Sequence, residues 1–304
     1  MEGANVAVTG GAGFIGSHLA EKLSKNNKVI VLDDFSSGSL NNISAISSKI
    51  SLAKRNIANL KSIRHVFKDC DSVFHLAANP DVSLGGVDNY LQLRRDVIGT
   101  YNVLESARLC DVETVVFASS STVYGEANRM PIIEDYSPML PISFYGASKL
   151  AGEAYMSVFS NNYGINVVIL RLANVIGPRS NHGVVYQFVK QLEKDGTMTI
   201  LSGGNQKKSY LYVDDCVDGF ITAAKANRKG CHTYNLGSAD SITVKEIAKA
   251  ISEEVGIKPR FLHKRVWVGD VPYFELSIDR IKKTGWAPKH SSLEAVKLTA
   301  RYLH

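Results

Sequence analysis

The sequence predicts an α/β protein: a doubly wound parallel sheet followed by a smaller, mixed α/β domain. Three observations predict it. A short apolar strand at residues 6–8 runs through a glycine-rich turn into helical periodicity. From there to about residue 170, short apolar runs alternate with amphipathic stretches, the pattern of successive βα units. At 304 residues and 45% hydrophobic, the chain can bury one large core or two modest ones.

The first strand leads into Thr9-Gly-Gly-Ala-Gly-Phe-Ile-Gly16, after which Ile15, Leu19 and Leu23 share one helical stripe. Gly10, Gly13 and Gly16 therefore occupy a strand–turn–helix, the context in which a glycine loop reads as a dinucleotide site. Gly10 permits the tight turn, Gly13 lets a pyrophosphate approach the backbone, and Gly16 permits close helix–strand packing. The helix N-terminus, where Phe14 and Ile15 lie, faces the phosphate charge. The spacing is G-x-x-G-x-x-G rather than G-x-G-x-x-G. The second strand, 29–32, ends at Asp33, about 20 residues past the glycines, where a carboxylate accepts hydrogen bonds from an adenine-ribose diol. A 2′-phosphate is repelled there, so NAD is expected rather than NADP. Asp34 follows directly, and either acid also suits a capping role.

Residues 50–53 read as a third strand, and Leu60, Ile63, Val66 and Phe67 mark a helix. A fourth strand, 72–76, ends at Leu76 and opens into Ala77-Ala78-Asn79-Pro80. Two small residues there let a flat ring lie against the backbone; a plain strand end with a proline turn fits the same four residues. A long helix is predicted over 90–108 and a fifth strand over 114–118. In such sheets the ligand sits at the carboxyl ends of the strands, where each of these loops falls.

The fifth strand ends in Ser119-Ser-Ser-Thr122 and Val123-Tyr-Gly125, and a helix follows with Tyr145-Gly-Ala-Ser-Lys149. Four residues apart, the phenol and the ammonium lie one helical turn apart on one face. A free phenol ionises near pH ~10, and lowering it to ~7 takes about 4 kcal/mol. A neighbouring ammonium favours the phenolate, and a cationic nicotinamide adds to the effect. From these five residues alone, an ordinary exposed pair at a helix start reads equally well. The glycine loop and the hydroxyl run decide for an active site, in which Ser120 holds the proton network at a sugar hydroxyl while Tyr145 removes the proton.

A sixth strand, 167–170, leads into Arg171-Leu-Ala-Asn174-Val-Ile-Gly-Pro-Arg179, and a domain boundary is expected here. Residues 1–174 form the first domain and 175–304 the second, with 205–227 packing back onto the first. A helix over 183–193 begins with Val184 and Val185 towards the nucleotide. Lys208-Ser-Tyr210-Leu-Tyr212-Val-Asp-Asp215 follows, with Asp215 expected to cap the next helix (Val217, Ile221, Ala224). Val244, Ile247, Ala248, Ile251 and Val255 form a further amphipathic stripe.

Composition narrows the partners. The net charge is +6, but Lys and Arg are scattered, and adjacent ones, such as Lys207-Lys208 and Lys282-Lys283, are pairs rather than runs. A nucleic-acid surface shows a basic run or stripe, so no nucleic-acid partner is expected; a mildly positive field does attract a nucleoside diphosphate. No apolar run approaches the ~20 residues of a membrane span and no signal peptide is read, so a cytoplasmic protein with no membrane partner is expected. Cys70, Cys110, Cys216 and Cys231 lie far apart without ligand spacing. They read as buried thiols in a reducing compartment, and no metal site is expected.

Taken together, the glycine loop, the Asp33 strand end, Ala77-Ala78, Ser-Ser-Ser-Thr-Val-Tyr-Gly and Tyr145-x-x-x-Lys149 resemble the extended short-chain dehydrogenase/reductase superfamily. Within it the chain is most similar to the NAD-dependent nucleotide-sugar epimerases and dehydratases, above all the UDP-glucose 4-epimerases. The motifs run from Gly10 to Trp286. The resemblance implies a Rossmann domain that holds NAD permanently and a smaller domain that closes over a UDP-sugar. It implies Ser120 as the catalytic Ser/Thr, Tyr145 as the base, and Lys149 as the residue that tunes it and holds the nicotinamide ribose. Asn56 stands where the family has an Asp for the adenine amino group, and its amide oxygen is expected to accept that bond. Ile57, Leu76, Ala77, Ala78 and Ser119 complete the implied cofactor contacts. On the substrate side the resemblance implies Ser120, Ser121, Asn174 at the phosphates, Val184 and Tyr210. Lys208 stands in place of a diphosphate Arg, Arg265 for the Arg missing at Trp267, and Asp270 is the ribose acid. Asp96 replaces the Asn of N-V-x-G-T, and no role is assigned to it. Phe274 lies near the family's gate against N-acetyl sugars. Relatives pair as homodimers through the helices near 90–108 and 145–161, so a homodimer is expected.

The expected reaction is 4-epimerisation of a UDP-hexose, UDP-galactose and UDP-glucose, through a 4-keto intermediate. The alternative is another nucleotide-sugar enzyme of the same fold: a different epimerase, a 4,6-dehydratase or a decarboxylase. Those last two carry an acid soon after the catalytic Ser/Thr, where this chain has Ser121 and Thr122. A catalytically dead NAD-binding protein typically lacks the Tyr or the Lys, and both are present here.

Overall fold

A computed structural model describes residues 2–79, 89–226, 229–264 and 273–304. Along the chain β1 (Asn5–Thr9) leads to α1 (Phe14–Leu23), β2 (Lys28–Asp33), β3 (Ile50–Lys54), α2 (Leu60–Ile63) and β4 (Ser72–His75). α3 (Asn89–Gln92) runs through a π-helical turn, Leu93–Ile98, into α4 (Gly99–Leu109). β5 (Thr114–Ser120), α5 (Phe144–Tyr163) and β6 (Asn166–Leu172) follow. The remainder comprises β7 (Asn174–Ile176), α6 (Gly183–Asp195), β8 (Thr197–Leu201), β9 (Lys207–Lys208), β10 (Tyr210–Tyr212), α7 (Val213–Ala226) and β11 (Cys231–Leu236). It ends with β12 (Ile242–Thr243), α8 (Val244–Val255), β13 (Arg260–Lys264), β14 (Tyr273–Phe274), α9 (Asp279–Lys282) and α10 (Ser292–Leu303).

Seven parallel strands form the central layer in the order β11-β6-β5-β4-β1-β2-β3. Strand alternation sends Val6, Val8, Val116 and Val168 to one face and Ala7, Val115, Phe117 and Val167 to the other. Helices cover both faces, which is why the strands read as near-continuous apolar runs. Leu19 and Leu23 of α1 with Val217 and Phe220 of α7 close the first face. Val103 and Leu104 of α4 with Met156 and Phe159 of α5 close the second. Each such fully buried side chain contributes about 1.5–3 kcal/mol. The chain winds outwards from β1 through β2 to β3, then returns to β4 on the other side of β1. That reversal opens a crevice at the strands' carboxyl ends.

A third cluster lies outside this sheet and joins Val185, Phe188 and Leu192 of α6 to Ile247 and Ile251 of α8 and Val296 of α10. α8 and α10 each start with a full capping box, Thr243 with Glu246 and Ser291 with Glu294. Small sheets, β10-β7, β12-β9-β14 and β13-β8, frame this part.

Several elements differ from the sequence reading. The helix expected over 90–108 carries the π turn in its middle, a one-residue insertion that apolar periodicity does not register. After α2, residues 64–69 form turns rather than more helix, although Phe67 is still buried. The seventh strand, β11, comes from the stretch assigned to the smaller domain. Asp215 does not precede its helix: it lies in the first turn of α7, where the dipole favours an acid. Its carboxylate accepts the Lys289 and His290 amides, both at 3.0 Å, and so ties down the C-terminal segment. Cys110 and Cys231 are half-buried, while Cys70 and Cys216 are buried. Among the described residues no helix is long and apolar enough to cross a membrane.

Candidate active site

The segments that leave β1, β2, β4, β5 and β6 line a cleft of about 1010 Å³, and α6, β8, Lys208, Tyr210 and Phe274 form its other wall. That volume lies at the upper end of the ~300–1,000 Å³ range of small-molecule sites. Every expected cofactor contact lines it: Gly10, Gly13, Phe14, Ile15, Gly16, Asp33, Asn56, Ile57, Leu76, Ala77, Ala78, Ser119, Tyr145 and Lys149. So do Ser120, Ser121, Asn174, Val184, Lys208 and Tyr210. Arg265 and Asp270 lie outside the described residues.

The glycine loop is a cradle that side chains would fill. Gly10 has φ +67°, and a Cβ there would sit 2.8 Å from the Ala77 backbone. A Cβ on Gly16 would sit 2.1 Å from the Gly10 carbonyl oxygen, so α1 packs on the loop as closely as atoms allow. Among the described residues no side chain caps the N-terminus of α1, which leaves its first amides to bind an anion. Asp33 is buried, and its two oxygens accept the Ala12 amide at 2.9 Å and the Phe35 amide at 2.8 Å. Burial pushes its carboxyl up, and those bonds oppose the shift. Each oxygen keeps a lone pair for a ribose hydroxyl. These features fit a dinucleotide. The Asn56 oxygen accepts the Ala58 amide at 2.8 Å and keeps a second lone pair, and its NH2 donates to Asp34 at 2.9 Å. Asp34, not a free rotor, sets which face of that amide meets the cleft.

α5 carries Tyr145 and Lys149. Ser143 caps it by accepting the Gly146 amide at 3.0 Å. A Cβ on Gly146 would lie 2.7 Å from the Thr122 carbonyl oxygen, so the helix start is pressed onto the 3₁₀ turn Ser121–Tyr124. That approach brings Tyr145 to Ser120, whose hydroxyl hydrogen-bonds the phenol. The Ser120 oxygen already accepts the Thr122 amide at 3.2 Å and the Thr122 hydroxyl at 3.0 Å. Its own proton is thus the one it gives to the phenol oxygen. Lys149, 3% exposed, donates to the Ala118 carbonyl at 2.7 Å and stands 5.6 Å from the centre of the Tyr145 ring.

Burial lowers Lys149 to about 8, against the charges of Asp96 and Glu153. Burial and then the Asp96 charge raise the Tyr145 phenol, and among the described residues the Ser120 bond alone opposes them. The expected lowering of the phenol by Lys149 is therefore absent from the chain's own groups. The ammonium lies over the ring and is bonded to a carbonyl, so it does not offset the desolvation of the half-buried phenolate.

The Ser119 hydroxyl donates to Glu153 at 2.5 Å. Glu153 was not singled out in the sequence, although it stands four residues past Lys149 and extends the Tyr145–Lys149 stripe by one turn. Its carboxylate takes Arg171 Nε at 3.0 Å and Nη2 at 2.7 Å, and both residues are buried. Arg171 also donates to the Tyr124 hydroxyl at 2.9 Å, and Tyr124 to Asn235 at 2.6 Å. A second buried chain runs under the β4 end. Thr100 donates to the Asp96 carbonyl at 2.5 Å and accepts from His75 Nε2 at 2.9 Å. That direction assigns the other nitrogen, Nδ1, as acceptor from Thr9 at 2.8 Å, and Thr9 accepts the Ala77 amide at 3.2 Å. Burial holds His75 near 3, so it stays neutral.

On the substrate side Asn174 donates to the Ser209 carbonyl at 3.2 Å, and Tyr210 is largely packed into the third cluster. Arg55, Arg95 and Arg179 also line the cleft. Arg179 lay in view in the Gly-Pro-Arg motif, but its ion pair with Glu21 at 2.6 Å, which ties it to α1, is a tertiary contact.

The family described as NAD dependent epimerase/dehydratase matches residues 6–237. A putative UDP-glucose 4-epimerase of Methanocaldococcus jannaschii is 33% identical over 304 residues, covering 98% of each chain. A solved UDP-galactose 4-epimerase is 40% identical with a TM-score of 0.89, covering 98% of each chain. The UDP-N-acetylglucosamine 4-epimerase of Methanobrevibacter ruminantium, solved with UDP-N-acetylmuramic acid, is 28% identical with a TM-score of 0.92, covering 99% of this chain and 98% of that one.

Proposed function

Because the chain belongs to the NAD dependent epimerase/dehydratase family, we propose that it is a 4-epimerase of UDP-hexoses, interconverting UDP-galactose and UDP-glucose through a 4-ketosugar. One observation carries the reading: Ser120, Tyr145 and Lys149 meet at one cleft with the glycine cradle. Gly10, Gly13, Gly16 and the α1 N-terminus hold the pyrophosphate of NAD, Asp33 its adenine ribose, and Lys149 its nicotinamide ribose. NAD, when bound, supplies the hydride acceptor and donor that the chain's side chains lack.

Tyr145, as the phenolate that the cationic nicotinamide of bound NAD favours, takes the proton of the sugar C4 hydroxyl, and Ser120 holds the phenol oxygen by donating its one hydrogen to it. Lys149, anchored by the Ala118 carbonyl, keeps two further N–H donors. Asn174, Lys208 and Arg179 suit the diphosphate, Lys208 as a point charge without a bidentate fork. Ser121 and Thr122 offer hydroxyls where an elimination needs an acid to protonate the leaving group, which disfavours a dehydratase or decarboxylase. Phe274, half-buried at the cleft, takes space an N-acetyl group would need, which favours the plain hexose.

The nucleotide half comprises residues 1–174 with the 205–227 stretch and β11, and the rest of 175–304 forms the sugar half. The partner is a second copy of the chain. Tyr90, Leu93, Tyr101, Tyr155, Val158 and Tyr163 leave α3, the π turn, α4 and α5 with exposed apolar side chains. Its free cysteines suit a reducing cytoplasm.

Purified protein should convert UDP-galactose to UDP-glucose without added cofactor. Tyr145→Phe should reduce turnover at least ~10²–10⁴-fold, the usual contribution of a general base, while NAD stays bound. Full activity in Tyr145→Phe ends this assignment.

A further inference from the structure

Asp96 is a buried carboxylate that the reaction above leaves unused. It is 3% exposed and lies in the π-helical turn between α3 and α4. Such a turn inserts one residue into a helix, re-aims the side chains around it, and recurs at functional sites. Its Oδ1 accepts the Asn79 amide at 2.7 Å, whereas Oδ2 is buried without a hydrogen-bond partner among the described residues. An unsatisfied buried acceptor costs about 1–3 kcal/mol and more when charged, so local stability does not account for it.

The turn packs against α5, and both reactive groups of α5 feel the Asp96 charge. Lys149 favours the carboxylate from α5 and Arg95 from the turn itself, and no group of α3 or α4 adds a charge to its field. On Lys149, Glu153 of α5 adds a second favourable charge, and His75 of β4 is neutral beside it. The backbone of Asp96 is fixed by the Thr9–His75–Thr100 chain that also holds the Ala77 amide at the cleft.

We propose that Asp96 is a positioning residue for the proton-transfer pair, the counter-charge that keeps buried Lys149 an ammonium and makes the charge state of Tyr145 and Lys149 depend on its own. The inference rests on reading those two residues as that pair. Burial raises the Asp96 carboxyl to about 6 and lowers Lys149 to about 8, so the two opposite charges coexist between those limits. Below the lower limit Lys149 has lost its anion, and above the upper one it has lost its own charge.

Asp96→Asn removes the charge and keeps an acceptor for the Asn79 amide. The NAD-loaded enzyme, labelled with ¹³C at lysine Cε, reports the titration of Lys149, identified by the signal missing in Lys149→Arg. In Asp96→Asn the midpoint should fall by about one pH unit or more, the usual effect of losing one close opposite charge. The alkaline limb of the kcat profile should fall with it. An unmoved Lys149 midpoint overturns the proposal, whatever Tyr145→Phe does. A shifted midpoint alongside a fully active Tyr145→Phe supports the charge coupling and overturns only the base assignment. Should the Asn variant fail to fold, the wild-type Lys149 signal carries the test. A second inflection in the acid range, where Asp96 titrates, supports the proposal, and a single inflection overturns it.

Discussion

Neutralising Glu153 should destabilise the fold beneath the cleft. Glu153 and Arg171 are 6% and 4% exposed, and two guanidinium nitrogens reach the carboxylate at 2.7–3.2 Å. Glu153→Gln preserves the shape but leaves a buried cation facing an amide, with Ser119 keeping a weaker acceptor. Removing one partner of a buried pair costs about 3–5 kcal/mol, because the other charge remains desolvated. Arg171 retains its bonds to Tyr124 and to the Glu134 carbonyl, so the lower end, ~3 kcal/mol, is the expectation. Urea unfolding followed by circular dichroism should show that loss as a lower midpoint at an unchanged slope. Glu153→Leu with Arg171→Met, which removes both charges, should cost less than the sum of the two single changes. A loss below ~1 kcal/mol in Glu153→Gln, typical of an exposed pair, refutes the reasoning.

Gly16→Ala places a Cβ 2.1 Å from the Gly10 carbonyl oxygen, a backbone atom with no room to yield. The loop and α1 must separate, and the purified variant should carry far less NAD by mass spectrometry of released ligand; wild-type occupancy contradicts the cradle. Stability should also depend on pH through Asp96 and Lys149. Between the ordinary carboxylate value and about 6, native Asp96 holds a proton the unfolded chain has released, so stability falls as pH rises through that window. Between about 8 and the ordinary lysine value, the unfolded chain holds the extra proton, so stability rises with pH. Urea midpoints across pH should show the acid-side slope flattened in Asp96→Asn; an unchanged slope assigns it to other groups.

What the sequence reveals here is what periodicity and local spacing encode. The β1–loop–α1 unit was legible because glycine spacing and the Ile15–Leu19–Leu23 stripe are local. The Tyr145–Lys149 pairing was legible because four residues are one helical turn. Glu153 obeys the same spacing, but its partner Arg171 lies on a different strand, so nothing local marked it. The π turn at Asp96 was hidden because an inserted residue disturbs hydrogen bonding without altering apolar content. β11 joined the main sheet through its register with β6, a non-local pairing that strand composition does not specify. The sign of the Tyr145 shift was missed for a related reason. Spacing places Lys149 near the phenol, but burial and the Asp96 charge, both tertiary properties, set the shift.

The central claim is that hydrogen leaves C4 of the sugar and returns to the same carbon within one closed site, with Tyr145 handling the proton. UDP-galactose deuterated at C4, incubated with the purified protein and no added cofactor, tests it directly by NMR. The account predicts UDP-glucose that retains the deuterium at C4, and none from Tyr145→Phe. Product in which solvent hydrogen has replaced the C4 deuterium, or recovery of the UDP-galactose unchanged, contradicts it.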